Sequence, residues 1–470
     1  MITRTASSLL VAALLTAAVP IPAAAQTGQA YFEFLIARRL EAQGDAVGAL
    51  AALERAAMAN PKSAEIKAEI AGLQLRRNLR PDAEKAAREA LVLNDANVEA
   101  HRVLGLIYAA NVDSTNTRAQ PAQIEATAKE AITHLERAIG DTATASDFTL
   151  YFTIGRLYLR TGNSAKAIEA LGRVVTQNPN SVQARLSLAQ AYAAGDNLKG
   201  AISTLDLVVE DEPRVASSLA QYQEQAGLLK EAAASYTRAL AVQPMSRELK
   251  FRRATTLYNA KEYAQSATFA GEAQAQHPDD LRFPRLRARA LYDSGAAPRA
   301  FAILEPVAKA SPRDVNTQFA LADLYNDAGR DADAERTIRQ LLEVVPDNPN
   351  ALNYLGYMLA ERGTKLDEAV AFITRALALD SNNPSFLDSL GWAYYRRGEM
   401  EQAEKYLSPA AERMPRNAVV QDHFGDILAG RGRLQDAIAA WTRALDGEGG
   451  GIDRAVVEKK ISDARGRLNR

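Results

Sequence analysis

The sequence contains no cysteine. Disulfides, thiolate nucleophiles and cysteine-ligated metals are excluded together. Histidine is nearly as scarce, with His101, His134, His277 and His423 the four in the chain. No two stand at a metal-ligating local spacing and none lies in a His-Glu-x-x-His pattern. Each reads as a solvated or packing residue. Neither sign of charge is in excess, with 56 Lys and Arg against 57 Asp and Glu in 470 residues. Such a balance offers no global field to nucleic acid or to an anionic membrane surface. Beyond residue 25 no apolar run is long enough to span a bilayer. The glycines at 447 and 449–451 lack a following Lys-Ser/Thr, which removes the phosphate-loop reading. Ser389 falls within a helical pattern rather than on a strand-to-helix turn, so it does not read as a nucleophile. No catalytic residue, metal or cofactor is expected, and the chain reads as a non-enzyme.

What is present begins with a leader. Arg4 precedes an apolar stretch at residues 9–19, then Pro20 and Pro22, then Ala23-Ala24-Ala25. A basic start, a short apolar core and small residues at the end are the pattern of a cleaved signal peptide, here residues 1–25. The apolar core is about half of the ~20 residues a membrane helix needs. No cysteine follows it, so no lipobox is present. The mature chain, from Gln26, is expected in a periplasm or outside the cell.

Hydrophobic residues make up 47% of the chain. A single globular core rarely grows to this length, so several domains or a repeat array are expected. Self-comparison decides for repeats. Twelve units of about 34 residues begin at Ala30, Ala64, Val98, Phe148, Val182, Pro213, Arg247, Leu281, Val315, Pro349, Pro384 and Ala418. The eighth position is always Ala or Gly, as in Ala71, Gly155, Ala288, Gly356, Gly391 and Gly425. The twentieth is Ala throughout except for Ser266. Proline recurs at position 32, and glycine near position 15. Antiparallel helices about 9 Å apart need small side chains where their backbones meet. Large residues such as Leu355, Leu359 and Ile373 then fill the space beside that contact. The glycine can end the first helix in a left-handed conformation, and the proline cannot continue the second.

These columns resemble the tetratricopeptide repeat family over residues 30–446. The resemblance implies an all-α, right-handed superhelical α-solenoid of about twelve helix-turn-helix repeats, closed by a C-terminal capping helix. The expected segments are the leader at 1–25, repeats one to five at 26–212, repeats six to twelve at 213–446, and a Gly-rich linker with capping helix at 447–470. Repeat three carries about fourteen extra polar residues around 113–126, read as an exposed loop or a helix extension. Repeat six starts early at Pro213, so its first helix should be short, and a hinge is placed there. Repeat ten holds one extra residue near Thr364-Lys365. Ile452, Val456, Val457 and Ile461 give the capping helix its apolar spacing.

In this family the first helices line a concave groove, which implies a role in binding a protein or peptide. By register, repeats ten to twelve place Asn353, Tyr357, Asp388, Trp392, Tyr395, Arg396, Asp422 and Asp426 on that wall. Aromatic residues among polar neighbours have the composition of a binding hot spot, with packing between repeats as the alternative for Trp392 and Tyr395. A second, basic patch combines Arg252, Arg282, Arg285 and Arg289. It reads either as a site for an acidic segment or as a solvated face with local ion pairs. Arg253 and Arg287 stand at a position that is otherwise apolar and must snorkel or find carboxylates. Residues 352–445 also resemble the C-terminal repeats of bacterial envelope proteins that include lipoprotein adaptors for carboxy-terminal processing proteases. That resemblance implies a scaffold presenting an envelope protein to an enzyme; the missing lipobox departs from it. A structural component of an envelope polysaccharide or protein secretion system is the other expectation.

Overall fold

A computed structural model describes residues 23–114, 120–139 and 147–469. The leader therefore lies outside the described residues but for its last three alanines, which open the first helix. Contacts divide the chain into two compact units, Met1–Val242 and Gln243–Arg470. The first holds α1 (Ala23–Ala42), α2 (Ala46–Ala59), α3 (Ala64–Arg76), α4 (Arg80–Leu93), α5 (Val98–Ser114), α6 (Pro121–Ile139), α7 (Phe148–Arg160), α8 (Ser164–Gln177), α9 (Val182–Ala194), α10 (Leu198–Asp206), α11 (Ala216–Gln225) and α12 (Leu229–Val242). The second holds α13 (Arg247–Asn259), α14 (Tyr263–Gln276), α15 (Arg282–Asp293), α16 (Ala297–Ala310), α17 (Val315–Asp327), α18 (Asp331–Val344), α19 (Pro349–Glu361), α20 (Leu366–Leu379), α21 (Pro384–Arg396), α22 (Met400–Arg413), α23 (Ala418–Gly430), α24 (Leu434–Leu445) and α25 (Arg454–Leu468). No strand occurs among the described residues. Within each unit consecutive helices pair as hairpins, and each hairpin stacks on the next.

The helices start and stop where local chemistry requires. Ser63, Asp147, Asn163, Ser181, Asp314, Asn348 and Asn417 each accept a hydrogen bond from a backbone N–H of the first turn, satisfying one of the donors a helix start leaves free. The turn between paired helices uses a left-handed residue, such as Gly162 (φ 76°) and Gly398 (φ 82°). Asn78, Asp196 and Lys261 occupy the same turn with φ of 60°, 57° and 61°. In repeat ten, Gly363 holds that place and the extra residue, Lys365, takes φ 48° just before α20.

The small-residue columns are the axis of every hairpin. All the alanines at positions 8 and 20 are buried, as are Gly105, Gly155, Gly356, Gly391 and Gly425. Leu355, Leu359 and Ile373 flank that contact with no exposed surface. The exception, Ser266, is equally buried, and its hydroxyl donates to the carbonyl of Ala254, the position-8 residue of its own hairpin, at 2.8 Å. A buried hydroxyl is tolerable when its hydrogen bond is made.

Several expectations are refined. The extra residues of repeat three lengthen both of its helices, to 17 and 19 residues; residues 115–119 between them lie outside the described set. Repeat six does have a short first helix, ten residues preceded by a 3-10 turn at Pro213–Val215. It belongs to the first unit, because Val215, Ala216 and Leu219 are buried and α11 packs on α10. The contact division thus falls at 242/243, one repeat later than the boundary read at 212/213. The glycine segment is pinned rather than free. Ala418 donates its N–H to the Glu448 carbonyl at 3.1 Å, and Glu448 donates to Arg416 at 2.6 Å, forming a parallel bridge between Asn417 and Glu448. The final helix buries Val457, Ile461 and Ala464 against Leu428, Ala437, Ala440 and Trp441. Val456, assigned to that apolar face by spacing, points to solvent, because two adjacent residues of a helix lie ~100° apart and cannot share one narrow face.

Candidate functional site

Within each unit, the first helices of successive hairpins contact one another, as α3 with α5, α15 with α17 and α19 with α21. They form one continuous wall. In the second unit the wall is stitched by ion pairs from helix to helix. Arg282 reaches back to Glu248 (3.0 Å), Arg285 reaches Asp314 (2.9 Å) and Arg289 reaches Asp327 (2.6 Å). Arg282 also holds Asp280 at 2.8 Å, Arg252 holds Glu248 at 3.2 Å, and Arg289 holds Asp293 at 3.0 Å. The basic patch read from sequence is therefore a zipper of Arg–carboxylate pairs, each arginine facing an acid one turn or one repeat away. Its carboxylates come from the same helix (Asp293) or from the adjoining repeats (Glu248, Asp314, Asp327).

Arg253 and Arg287 find no carboxylate. The Arg253 guanidinium lies 4.0 Å from the Phe269 ring centroid with Nε unpartnered, and burial holds its pKa below the usual value. A cation over an aromatic face recovers part of the lost hydration. Arg287 donates to the Gln274 amide oxygen at 3.4 Å and lies over Gly271, where any Cβ would come within 3.0 Å of its guanidinium.

The C-terminal patch divides into packed and open residues. Trp392 is 8% exposed and stacks on His423 (centroids 4.0 Å apart, 13° between planes) and on Tyr395 (4.9 Å, 19°). It is thus a packing residue between repeats eleven and twelve rather than a free wall residue. Its Nε1 has no hydrogen-bond partner. Arg396 sits 5.9 Å from the Trp392 ring and donates to the Glu361 carbonyl at 2.5 Å. Asp388, itself buried, meets His423 Nδ1 at 3.0 Å. Asp422 and Asp426 are both taken by Lys460 of α25, at 2.8 Å each, and Asp426 also accepts from Trp441 Nε1 at 3.0 Å. Asn353 and Tyr357 are half-buried. With Ser385, Asp388, Ser389 and Asn417 they line a cleft of ≈ 210 Å³. The Asn353 amide oxygen is buried there without a partner. Burial, then Glu361 and Asp388, push the Tyr357 hydroxyl well above its ordinary pKa, and Glu361 also takes its hydrogen bond.

Two residues outside the sequence reading matter here. Lys460 is one, since a lysine on a capping helix carries no groove register. Replacing it with alanine leaves Asp422 and Asp426 facing each other without a cation. Lys460→Ala should cost about 2 kcal/mol, less than the ~3–5 kcal/mol of breaking a fully buried pair because its side chain is 25% exposed. The check is a lower urea midpoint in Trp441 fluorescence. His423 is the other. Four sparse histidines give no local signal, yet His101, His134 and His423 all form specific contacts. In the first unit His101 and His134, about one repeat apart in sequence, meet Nδ1 to Nδ1 at 2.7 Å.

These two sites titrate in opposite senses. Burial, then the neighbouring His101, Arg137 and Arg88, lowers His134 from 6.5 to about 4. The folded state keeps it neutral, so its contribution is present above 6.5 and is lost as pH falls from there towards 4. After discounting for solvent exposure the loss is on the order of 1–2 kcal/mol. For His423, burial opposes charge, but Asp388, Glu361 and Asp422 outweigh it and raise the pKa above 6.5. That contribution is present below 6.5 and is lost as pH rises through the folded pKa. Both tryptophans lie in the second unit, so their fluorescence follows that unit separately. Urea midpoints read by fluorescence should fall on raising the pH above neutrality, and that dependence should vanish in His423→Gln. Acid loosening of the first unit, read by circular dichroism, should vanish in His134→Gln.

The repeat pattern, the hairpins and their small-residue contacts now meet an independent comparison. The tetratricopeptide-repeat family profile matches residues 152–214, 218–280 and 319–384. Those three segments match tetratricopeptide repeats. A tetratricopeptide-repeat-containing protein of Pseudomonas aeruginosa is 33% identical over 181 residues, 38% of this chain and 30% of that protein. Cellulose synthase operon protein C of Xanthomonas axonopodis is 28% identical over 202 residues, 43% of this chain and 12% of that protein. The chain thus matches less than a third of the length of these curated relatives. Among solved structures, yeast Tom70 aligns over 94% of this chain and 96% of its own at 12% identity and a TM-score of 0.47. The APC/C hetero-tetramer Cut9-Hcn1 aligns over 93% of this chain and 90% of its own at 14% identity and a TM-score of 0.40. The tetratricopeptide match suggests an interaction scaffold, and no described helix is long and apolar enough to cross a membrane.

Proposed function

We propose that the chain is a non-catalytic scaffold, exported from the cytoplasm, that holds a partner protein or peptide against the first-helix wall of repeats ten to twelve. The observation that carries this reading is the cleft beside Tyr357. It combines aromatic surface, a buried carboxylate and an unpartnered amide oxygen, while the arginines of the neighbouring wall are consumed by internal pairs. A wall of this kind is pre-formed, so a partner loses little binding energy to ordering it. The presentation of an envelope protein to a protease remains one form of this role. Participation in an envelope polysaccharide or secretion assembly is the second, favoured by the similarity to a cellulose synthase operon protein.

Affinity capture from an envelope extract tests the scaffold. The wild-type chain is expected to enrich a defined protein, and Tyr357→Ala should reduce that enrichment about tenfold, as loss of a hot-spot aromatic does. A protease or its substrate among the captured proteins supports the adaptor form, and a synthase or export component the assembly form. Equal capture by the variant would contradict the placement of the site. Export is read separately, from fractionation and a mature N-terminus at Gln26; a chain retained in the cytoplasm with its leader intact would overturn it.

A further inference from the structure

Most acids on the wall of the second unit meet a cation of this chain, while Asp323 accepts instead from the Tyr354 hydroxyl at 2.5 Å. Asp314, Asp327, Asp422 and Asp426 each meet an arginine or lysine from an adjoining first helix or the capping helix. Asp388, among the described residues, meets His423 alone. It is also the acid that lines the cleft. Beside it, the Asn353 amide oxygen is buried and unpartnered. A buried acceptor without a donor costs free energy that a ligand donor recovers.

The neighbouring repeat displays what such a place can hold. Lys460 sets its ammonium between Asp422 and Asp426, 6.0 Å from the Trp441 ring. Two acceptors beside an aromatic ring are there filled by a cation from this chain. One repeat earlier the acceptors are Asp388 and Asn353; the ring stacked on His423, the partner of Asp388, is Trp392, and the Arg396 guanidinium 5.9 Å from that ring donates to the Glu361 carbonyl instead of to Asp388. Among the described residues no lysine or arginine pairs with Asp388, whose partner is the His423 imidazole, and a cleft opens beside it. The backbone of Gly449 and Gly450 borders that cleft, held there by the bridge between Glu448 and Asn417. With no side chains, these glycines leave the entrance unobstructed.

We propose that the cleft between α19, α21 and the start of α23 receives a lysine or arginine side chain of the bound protein, held by Asp388 and Asn353. The proposal rests on the scaffold reading and adds the partner's chemistry: a basic residue anchors it at repeats ten and eleven. An arginine fits the donor count, since its guanidinium supplies five N–H groups to the carboxylate and amide oxygens.

The probes are two blocked tripeptides, acetyl-Ala-Arg-Ala-amide and its citrulline counterpart, which keeps the shape and loses the charge. The full chain carries two tryptophans, so indole 15N labelling gives two signals, assigned with Trp441→Phe. The arginine peptide should shift the Trp392 signal saturably and leave Trp441 in place. The citrulline peptide should bind roughly tenfold more weakly, the scale of one charge-assisted hydrogen bond. Asp388→Asn should bring the arginine peptide down to the citrulline level. Should that variant fail to fold, Asn353→Ala, whose side-chain oxygen has no internal partner to lose, should also weaken the arginine peptide severalfold. Equal binding of both peptides, or unchanged arginine binding in the variants, overturns the proposal. The scaffold reading is scored apart from this. Capture from extract that survives Asp388→Asn, with peptides undiscriminated, sinks the basic anchor and leaves the scaffold standing. Peptide selectivity without any capture by the wild type does the reverse.

Discussion

Gly391→Val should open the eleventh hairpin and lower the stability of the second unit by about 3 kcal/mol. A Cβ at Gly391 would stand 2.7 Å from the Leu407 Cβ, 3.0 Å from the Ala403 carbonyl oxygen and 3.0 Å from the Leu407 backbone nitrogen. Two of these atoms are backbone and cannot turn aside. The helices must separate, and Leu390, Leu407 and Ala403 lose contact. The urea midpoint of tryptophan fluorescence reads the effect. Gly172→Ala is its counterpart. That glycine lies inside α8 with nothing within 4 Å of a Cβ, so alanine should stabilise the first unit by ~0.5–1 kcal/mol through helix propensity. The signs differ because a Cβ meets backbone at Gly391 and open space at Gly172, where helix propensity decides.

Trp392→Ala should cost about 3 kcal/mol, the low end for a buried aromatic. The ring fills the space between Tyr395 and His423, so its loss leaves a cavity and frees the Asp388–His423 pair to move. Trp392→Phe keeps an aromatic surface in that stack, and removes only an indole nitrogen that has no partner; it should cost less than half as much. Urea unfolding followed by the remaining Trp441 separates the two. A Trp392→Ala variant as stable as wild type would return this residue to the open wall that its register alone suggested.

Much of the fold was legible because repeats multiply weak signals. One alanine at Ala167 says little; the same small residue recurring at Ala201, Ala300 and Ala403 marks a backbone contact, and all are fully buried. The site was legible in register and not in environment. Position 9 of repeat eleven was correctly placed on a first helix, but whether Trp392 faces solvent depends on His423 of the next repeat. The arginines of the central patch were visible as cations, while their neutralisation by Asp314 and Asp327 depends on which helices adjoin. Lys460 and the pinned glycines at 449–451 were beyond reach for a similar reason. A glycine run reads as flexible until a backbone bridge such as Asn417–Glu448 holds it.

Absence of cysteine makes the central claim directly measurable, since a single introduced thiol is unique. Ser385→Cys places a photo-crosslinker at the cleft, on an exposed wall residue; Thr374→Cys places one on an exposed residue of the second helix of repeat ten. Irradiation in an envelope extract should yield a discrete crosslinked partner from position 385 and none from 374. A partner crosslinked from 374 and absent from 385 would contradict the account.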